Sequence, residues 1–209
     1  MRKVVELTDP VTAEEYLKHQ RSGPREFAPK YEFFNKKLRY LHGENYKHNV
    51  ICSNLTFALM SQMWKKDTKH HVFGCDLRTV TYLNAKNYVY PDIIVVDGKV
   101  LCEDKHDDNL VNPTLIIEVL SDSTEGFDRG DKFKSYRKTL SMKGYIIVSQ
   151  KERCIEQFFK DESGRWQIGN IITEGIFKLE TLPFELSVND IYRNVEFIDT
   201  PSVIDEEKN

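Results

Sequence analysis

The feature that most constrains the fold is an apolar run at residues 114–120, TLIIEVL, which is interrupted by a single charge, Glu118. A nearly continuous apolar run of this length is typical of a strand that is buried on both faces of a sheet. A carboxylate inside such a strand has a high desolvation cost unless a positive group neutralises it. The run therefore predicts a central strand, and Glu118 predicts a cation or a basic side chain beside it.

A second strand is predicted at residues 92–96, where β-branched residues follow Pro91 and Asp92 stands at the start. Carboxylates from two neighbouring strands would form a cluster that binds Mg²⁺, or Mn²⁺, through a few oxygens and water. Such an ion activates water and stabilises charge on a phosphoryl group. Asp92 and Glu118 are therefore the predicted metal ligands. The ordinary alternatives are a turn-initiating aspartate and a buried glutamate paired with a core arginine.

Several helices and strands flank the two acidic strands, and apolar residues at helical or alternating spacing predict each one. After the Glu118 strand, capping residues predict a helix that runs to about Leu140 and carries an apolar stripe of Phe133, Tyr136 and Leu140. The other predicted elements are a helical start capped by Thr12, a hairpin at 31–40 that turns near Asn35 and Lys36, a helix at about 48–65, and alternating strands at 154–160, 166–172 and 177–182.

These elements predict one α/β (α+β) domain. With 209 residues, the chain lies in the size range where one domain with one core is the usual outcome. The domain is expected to cover residues 1–209, with its core at about 11–192. The tail, 193–209, is expected to be flexible because its end is rich in charge.

Charge and composition limit the classes of function. The net charge of −3 disfavours a protein that holds nucleic acid by bulk electrostatics, but it allows an enzyme with a local basic groove. No apolar run approaches the ~20 residues of a membrane helix, and the start lacks a signal-peptide pattern. We therefore expect a cytoplasmic protein without a membrane partner. The cysteines form no CxxC pair and the histidines no HxxxH pair, so neither a disulfide framework nor a structural zinc site is expected.

Six segments together resemble the Uma2 family of restriction endonucleases, a branch of the PD-(D/E)XK nuclease superfamily. The likeness extends over about residues 11–192. The blocks EVLSxST and DRGxKxxxY are specific in combination, although each alone would be a weak signal. The six segments are YE at 31–32, VFGCDLR at 72–78, YPDIIVV at 90–96, NPTLIIEVLSDST at 112–124, DRGDKFKSY at 128–136 and YIIVSQ at 145–150.

The resemblance implies a restriction endonuclease-like core, in which helices flank a mixed central sheet and extra antiparallel strands are attached. It also implies a hydrolase, a magnesium-dependent endonuclease with DNA as its substrate. A cut through both strands needs two active sites, so a homodimer is a further expectation.

The chain departs from the superfamily at one position. The usual lysine lies two residues after the strand acid, where this chain has Leu120. The resemblance implies that the lysine has moved to the following helix as Lys132, beside the apolar stripe. Lys134, about 200° further around that helix, is expected to face elsewhere. Glu32, in the Tyr-Glu pair of the family, is a further catalytic candidate, although a glutamate in a hairpin is more often simply exposed.

Other matching positions have no clear role at this level. Asp128 and Tyr136 stand four residues before and after Lys132, where they would position it or only cap and pack the helix. Asp76 and His48 also match, and a capping or packing role is the simpler expectation for His48.

The main alternative to a nuclease is a noncatalytic module that keeps the fold and binds nucleic acid or a protein. The acidic net charge and the loss of the strand lysine favour this alternative. The joint presence of Asp92, Glu118 and Lys132 disfavours it, because a binding module has no need of a buried acid. A glycosidase with two carboxylates fits poorly, since only two tryptophans are present to line a sugar cleft.

Overall fold

A computed structural model describes residues 11–22, 30–74, 76–82 and 85–197. None of its helices, within these residues, is long and apolar enough to cross a lipid bilayer. The helices are α1 (Ala13–Arg21), α2 (Tyr46–Lys65), α3 (Glu125–Phe127), α4 (Phe133–Tyr136) and α5 (Val188–Ile191), with a π-helical segment (Asp128–Lys132) joining α3 to α4. The strands are β1 (Tyr31–Phe34), β2 (Lys37–Tyr40), β3 (His70–Phe73), β4 (Arg78–Tyr82), β5 (Lys86–Val89), β6 (Ile93–Asp97), β7 (Asn109–Leu110), β8 (Leu115–Leu120), β9 (Gly144–Ser149), β10 (Ile155–Lys160), β11 (Trp166–Ile172), β12 (Ile176–Lys178) and β13 (Glu185–Ser187).

The central sheet has the strand order β11-β10-β9-β8-β6-β3. It is mixed, because β8 and β9 are parallel whereas β6 and β8 are antiparallel. The predicted mixed sheet is therefore confirmed, and so is the expectation that the two acidic strands are neighbours. Ile93 pairs with Ile117, which places Asp92 beside Glu118 at the end of the ladder.

Strand β8 is buried at all six positions, and its two faces contact different layers. Leu115, Ile117 and Val119 pack in the core that contains α2. Ile116 and Leu120 pack on the opposite face, in a cluster that includes Tyr136. Because side chains alternate along a strand, Glu118 points to this second face, toward the helical stretch 125–136.

A second sheet, with the order β2-β1-β5-β4-β7, closes over that face of β8. Phe34 of β1 and Val89 of β5 pack in the same cluster as Ile116 and Leu120. The predicted hairpin is confirmed: Asn35 and Lys36 form its turn with φ angles of 49° and 65°, as two-residue hairpin loops require. This sheet brings β1, and with it Glu32, against the central strands.

The predicted helix after β8 is shorter than expected. Helical structure ends at Tyr136, and successive turns then lead from Tyr136 to Thr139 and on to Met142. Leu140 is 97% exposed, whereas Met142 is fully buried in the cluster with Tyr136. The prediction that Leu140 belongs to the apolar stripe is therefore wrong, because the chain leaves the helix before that residue.

Residues 198–209 of the predicted tail lie outside the described residues. Immediately before them, Val195 is buried and Phe197 packs against the main core. One domain over residues 1–209 stays a prediction.

We predict that Gly144→Ala destabilises the fold by about 1–3 kcal/mol, because overpacking strains a close-packed core. A Cβ atom at Gly144 would lie 2.8 Å from both Thr181 Cγ2 and Thr181 Oγ1, and 3.1 Å from Leu115 Cδ1. Gly43→Ala is the matched control, since a Cβ there meets nothing within 4 Å, and it should stay within about 1 kcal/mol of wild type. Urea unfolding of both variants measures the difference, and equal midpoints would contradict the prediction.

Candidate active site

Two hydrogen bonds between side chains and backbone amides join Asp92 to the segment that carries Glu118. The Val119 amide donates to Asp92 Oδ2 over 2.7 Å, and the Asp92 amide donates to Glu118 Oε2 over 3.1 Å. These bonds fix both carboxylates at the junction of β6 and β8. The Asp92 side chain is 17% exposed and that of Glu118 only 3%, so Asp92 lies at the opening of the site and Glu118 at its base.

Lys132 lies against Glu118 inside the protein, with only 6% of its side chain exposed. Its Nζ is 2.9 Å from Glu118 Oε1, 3.2 Å from Glu32 Oε1 and 3.4 Å from Asp128 Oδ1. Burial alone would lower the pKa of Lys132, but the surrounding carboxylates raise it well above its ordinary value. The side chain is therefore a charged ammonium at neutral pH.

Tyr136 gives Glu118 a second donor on the same oxygen. Its hydroxyl donates to Glu118 Oε1 over 2.9 Å. Burial raises the pKa of Glu118 well above its usual value, although the charge of Lys132 acts in the opposite direction. Lys132, Tyr136 and the Asp92 amide together replace part of the hydration that Glu118 loses.

Glu32 belongs to the same cluster, and only 2% of it is exposed. Its Oε1 accepts a hydrogen bond from the Tyr90 amide over 3.0 Å besides contacting Lys132. A glutamate in a hairpin is usually exposed, but Glu32 is buried because this face of β1 in the second sheet is turned inward. Glu32 therefore contacts the lysine and connects it to the chain just before Asp92.

The π-helical segment aligns three residues of the cluster. Asp128, Lys132 and Tyr136 are spaced at intervals of four. A step of four residues rotates slightly more than one full turn around an α-helix and slightly less than one full turn around a π-helix. The rotation between Asp128 and Lys132 therefore deviates from a full turn in the opposite sense to the rotation between Lys132 and Tyr136, and the two deviations largely cancel. As a result, all three side chains point toward Glu118, while Lys134 is 63% exposed and pairs with Asp131, as expected.

His48 and Cys52 extend the cluster on the α2 side, and the sequence did not assign either to the site. His48 Nε2 lies 3.1 Å from Asp92 Oδ2, and His48 Nδ1 lies 3.7 Å from Cys52 Sγ. Burial alone would lower the pKa of His48, but the hydrogen bond to Asp92 and its charge raise it. The expected capping or packing role of His48 therefore omits its contact with Asp92. The spacing of four between His48 and Cys52 was the available signal.

Asp76, by contrast, lies apart from these contacts. Its side chain is 93% exposed and pairs with Lys30 at 2.7 Å.

The cluster contains more acidic groups than basic ones. The carboxyl groups of Glu32, Glu118 and Asp128 contact the one ammonium, and Asp92 lies beside Glu118. Burial raises the pKa of Asp128. Its buried Oδ1 accepts no hydrogen bond from the described residues and is held by the ion pair with Lys132 at 3.4 Å. An oxygen-rich site in which carboxyl groups outnumber the ammonium fits a hard divalent cation such as Mg²⁺.

Comparison with known proteins gives a family and a fold. The model of the Uma2 family, described as "Putative restriction endonuclease", matches residues 13–191. Two proteins of Synechocystis sp. (strain ATCC 27184 / PCC 6803 / Kazusa) are each 29% identical to this chain. Uncharacterized protein slr1290 matches over 188 residues, 90% of this chain and 94% of its own. Uncharacterized protein sll1609 matches over 171 residues, 82% of this chain and 93% of its own.

A crystal structure has the same fold. It is that of "a putative nuclease belonging to DUF820" from Anabaena variabilis ATCC 29413, which matches with a TM-score of 0.68. The match covers 88% of this chain and 98% of that chain at 18% sequence identity. The likeness confirms the predicted fold class, a mixed α/β arrangement.

We predict that Lys132→Met lowers the free energy of unfolding by about 3–5 kcal/mol, the usual effect of leaving a buried charge without its partner. Methionine keeps an unbranched side chain as far as Cε and lacks only the ammonium, so the lost charge dominates. Adding Glu118→Gln to Lys132→Met should restore part of the loss, because fewer buried carboxylates then lack a cation. Denaturant unfolding at pH 7 measures all variants, with the exposed Lys134→Met as a control that stays within about 0.5 kcal/mol of wild type. Equal losses at positions 132 and 134 would contradict the prediction.

Proposed function

The chain belongs to the Uma2 family, and from that premise we propose that it is a metal-dependent phosphodiesterase, an endonuclease acting on DNA. One observation carries the proposal: Asp92 and Glu118 are fixed side by side, and a buried ammonium lies 2.9 Å from Glu118. Two carboxylates can hold a metal ion and a lysine can stabilise phosphoryl charge, and both contributions promote hydrolysis of a phosphodiester.

Asp92 and Glu118 are the proposed ligands of Mg²⁺ or Mn²⁺. Asp92 Oδ2 is already engaged by the Val119 amide and His48, which leaves Oδ1 for a cation. Glu118 Oε2 accepts only the Asp92 amide in the described structure, so it retains a lone pair for a cation. When bound, the ion supplies an activated water and neutralises charge on the phosphate.

Lys132 is proposed to orient the attacking water or to stabilise the negative charge that builds up on the phosphorus centre. Leu120 occupies the usual place of this lysine on the strand and is buried among apolar side chains, so it cannot take the role. Glu32 is proposed to act through Lys132: its contact at 3.2 Å keeps the ammonium beside Glu118.

The noncatalytic module remains the second candidate, and the acidic net charge is the observation that favours it. Binding of DNA without catalysis would depend on phosphate contacts from a basic surface. The proposed enzyme instead depends on the cluster of charged side chains formed by Asp92, Glu118 and Lys132. Cleavage of both DNA strands needs two active sites, so the proposal includes a homodimer for double-strand cleavage. A nicking enzyme needs one site and therefore no dimer.

We expect the purified protein to cut plasmid or oligonucleotide DNA in the presence of Mg²⁺ or Mn²⁺ and not in EDTA. Asp92→Ala should be inactive, and Lys132→Met should lose on the order of 10²-fold in rate or more, the usual effect of removing a preorganised charge. Circular dichroism must show that each variant is folded at the assay temperature. Lys134→Met is the matched control and should cut like wild type.

Parallel RNA substrates identify the preferred nucleic acid. Equal rates for the two lysine variants would contradict the role of Lys132, and DNA binding without cleavage would favour the module.

Divalent metal should stabilise the folded protein, because an ion relieves repulsion among the clustered carboxylates. Binding at 100 times Kd contributes about 2.7 kcal/mol, on the order of 5–10 °C in Tm for a chain of this size. Calorimetry with Mg²⁺ and Mn²⁺ measures the shift. Asp92→Asn should abolish it, whereas Asp131→Asn, which removes an exposed acid from the same helical stretch, should leave it intact. An unchanged Tm in wild type would count against the metal site.

A further inference from the structure

His48 and Cys52 lie one turn apart on the same face of α2, four residues from each other, and both face Asp92. One atom from each of the three residues can be chosen so that all three lie within 4.8 Å of one another. The imidazole is buried and the other two side chains are partly exposed. The α2 backbone fixes the histidine, because the Asn45 side chain accepts a hydrogen bond from the His48 amide.

The donor atoms of this set differ from those of the carboxylate cluster. Nitrogen, sulfur and oxygen donors together favour borderline ions such as Zn²⁺, whereas carboxylate and water favour Mg²⁺ and Mn²⁺. Histidine, cysteine and aspartate are all established ligand types for Zn²⁺, and three protein ligands with one open position are the usual arrangement in sites that are not purely structural.

We propose that His48, Cys52 and Asp92 form a binding site for Zn²⁺ or a similar divalent transition-metal ion. Bond lengths of about 2.0–2.3 Å in a tetrahedral site place neighbouring ligand atoms roughly 3.3–3.7 Å apart. His48 Nε2 and Asp92 Oδ2 are 3.1 Å apart, which is a few tenths of an ångström short of that range. Cys52 Sγ lies 3.7 Å from the other ring nitrogen, His48 Nδ1, so binding at Nε2 requires Cys52 to turn about its single side-chain torsion and the imidazole to reorient. On binding, the thiol and Nε2 protons leave to solvent.

Asp92 belongs to both donor sets, and this has a consequence that rests on the proposed function. The proposed Zn²⁺ site uses Asp92 Oδ2 and the proposed Mg²⁺ site uses Oδ1, so a cation on Oδ2 would withdraw negative charge from Oδ1 and weaken Mg²⁺ binding there. Binding of the transition-metal ion would then inhibit cleavage. The site itself needs no catalytic activity in order to be tested.

Co²⁺ is the probe, because its bond to a thiolate gives a charge-transfer band in the near ultraviolet. Tag-free, metal-stripped protein should develop this band with one Co²⁺ per chain, and Zn²⁺ should abolish it. Cys52→Ser should remove the band, and His48→Gln should weaken Co²⁺ binding by about tenfold or more. Cys154→Ser is the matched control, since Cys154 is also partly buried but contacts neither His48 nor Asp92 among the described residues, and it should behave as wild type.

Two results would overturn the proposal. One is the absence of the band in folded wild-type protein. The other is Zn²⁺ binding that Asp92→Asn weakens but Cys52→Ser leaves unchanged, since His48 would then only position Asp92. Circular dichroism confirms that each variant is folded. A positive result without DNA cleavage would support this site and reject the nuclease, so the two proposals fail independently.

Discussion

The contact between the Lys132 ammonium and the Glu118 carboxylate, 2.9 Å long and almost fully buried, determines how the layers of this protein meet. Neither charge is stable in this place alone, because desolvation of an isolated ion costs several kcal/mol. Glu118 comes from the central sheet, Lys132 from the helical stretch 125–136, and Glu32 from the second sheet. Each layer must therefore dock correctly before the charges are compensated, and the site and the packing of the fold depend on the same atoms.

The sequence predicted most of this arrangement where residue type and spacing have a local physical meaning. A single charge within an apolar strand indicated Glu118 as a site residue. The β-branched strand before it in the chain, which begins at Asp92, indicated the neighbouring carboxylate. The prediction failed at Leu140, because the helix ends where Met142, rather than Leu140, fills the apolar cluster. Burial of Glu32 was equally invisible in the sequence, since it depends on the second sheet closing over β1. Strand β5, which makes that closure possible, has no strong alternating pattern of its own.

His48 and Cys52 illustrate a different limit. A search for metal ligands that compares histidines only with one another overlooks a histidine and a cysteine four residues apart on a helix. Their significance also depends on Asp92, which follows Cys52 by 40 residues and is brought close because α2 packs on the sheet that contains β6 and β8. Spacing within one helix can be read from a sequence, whereas the third donor becomes apparent only in three dimensions.

The π-helical segment at Asp128–Lys132 makes the length of this stretch as important as its composition. Its wider turn sets the angle between Asp128 and Lys132, and the α turn that follows sets the angle between Lys132 and Tyr136. A deletion of one residue inside 128–132 would convert the segment to a regular helix and change both the distance along the axis and the angle between the preceding acid and the lysine. Substitutions on the exposed side of this stretch are therefore compatible with the site, whereas insertions and deletions are not. In the evolution of related chains, the number of residues between these three side chains should change less than the residues between them.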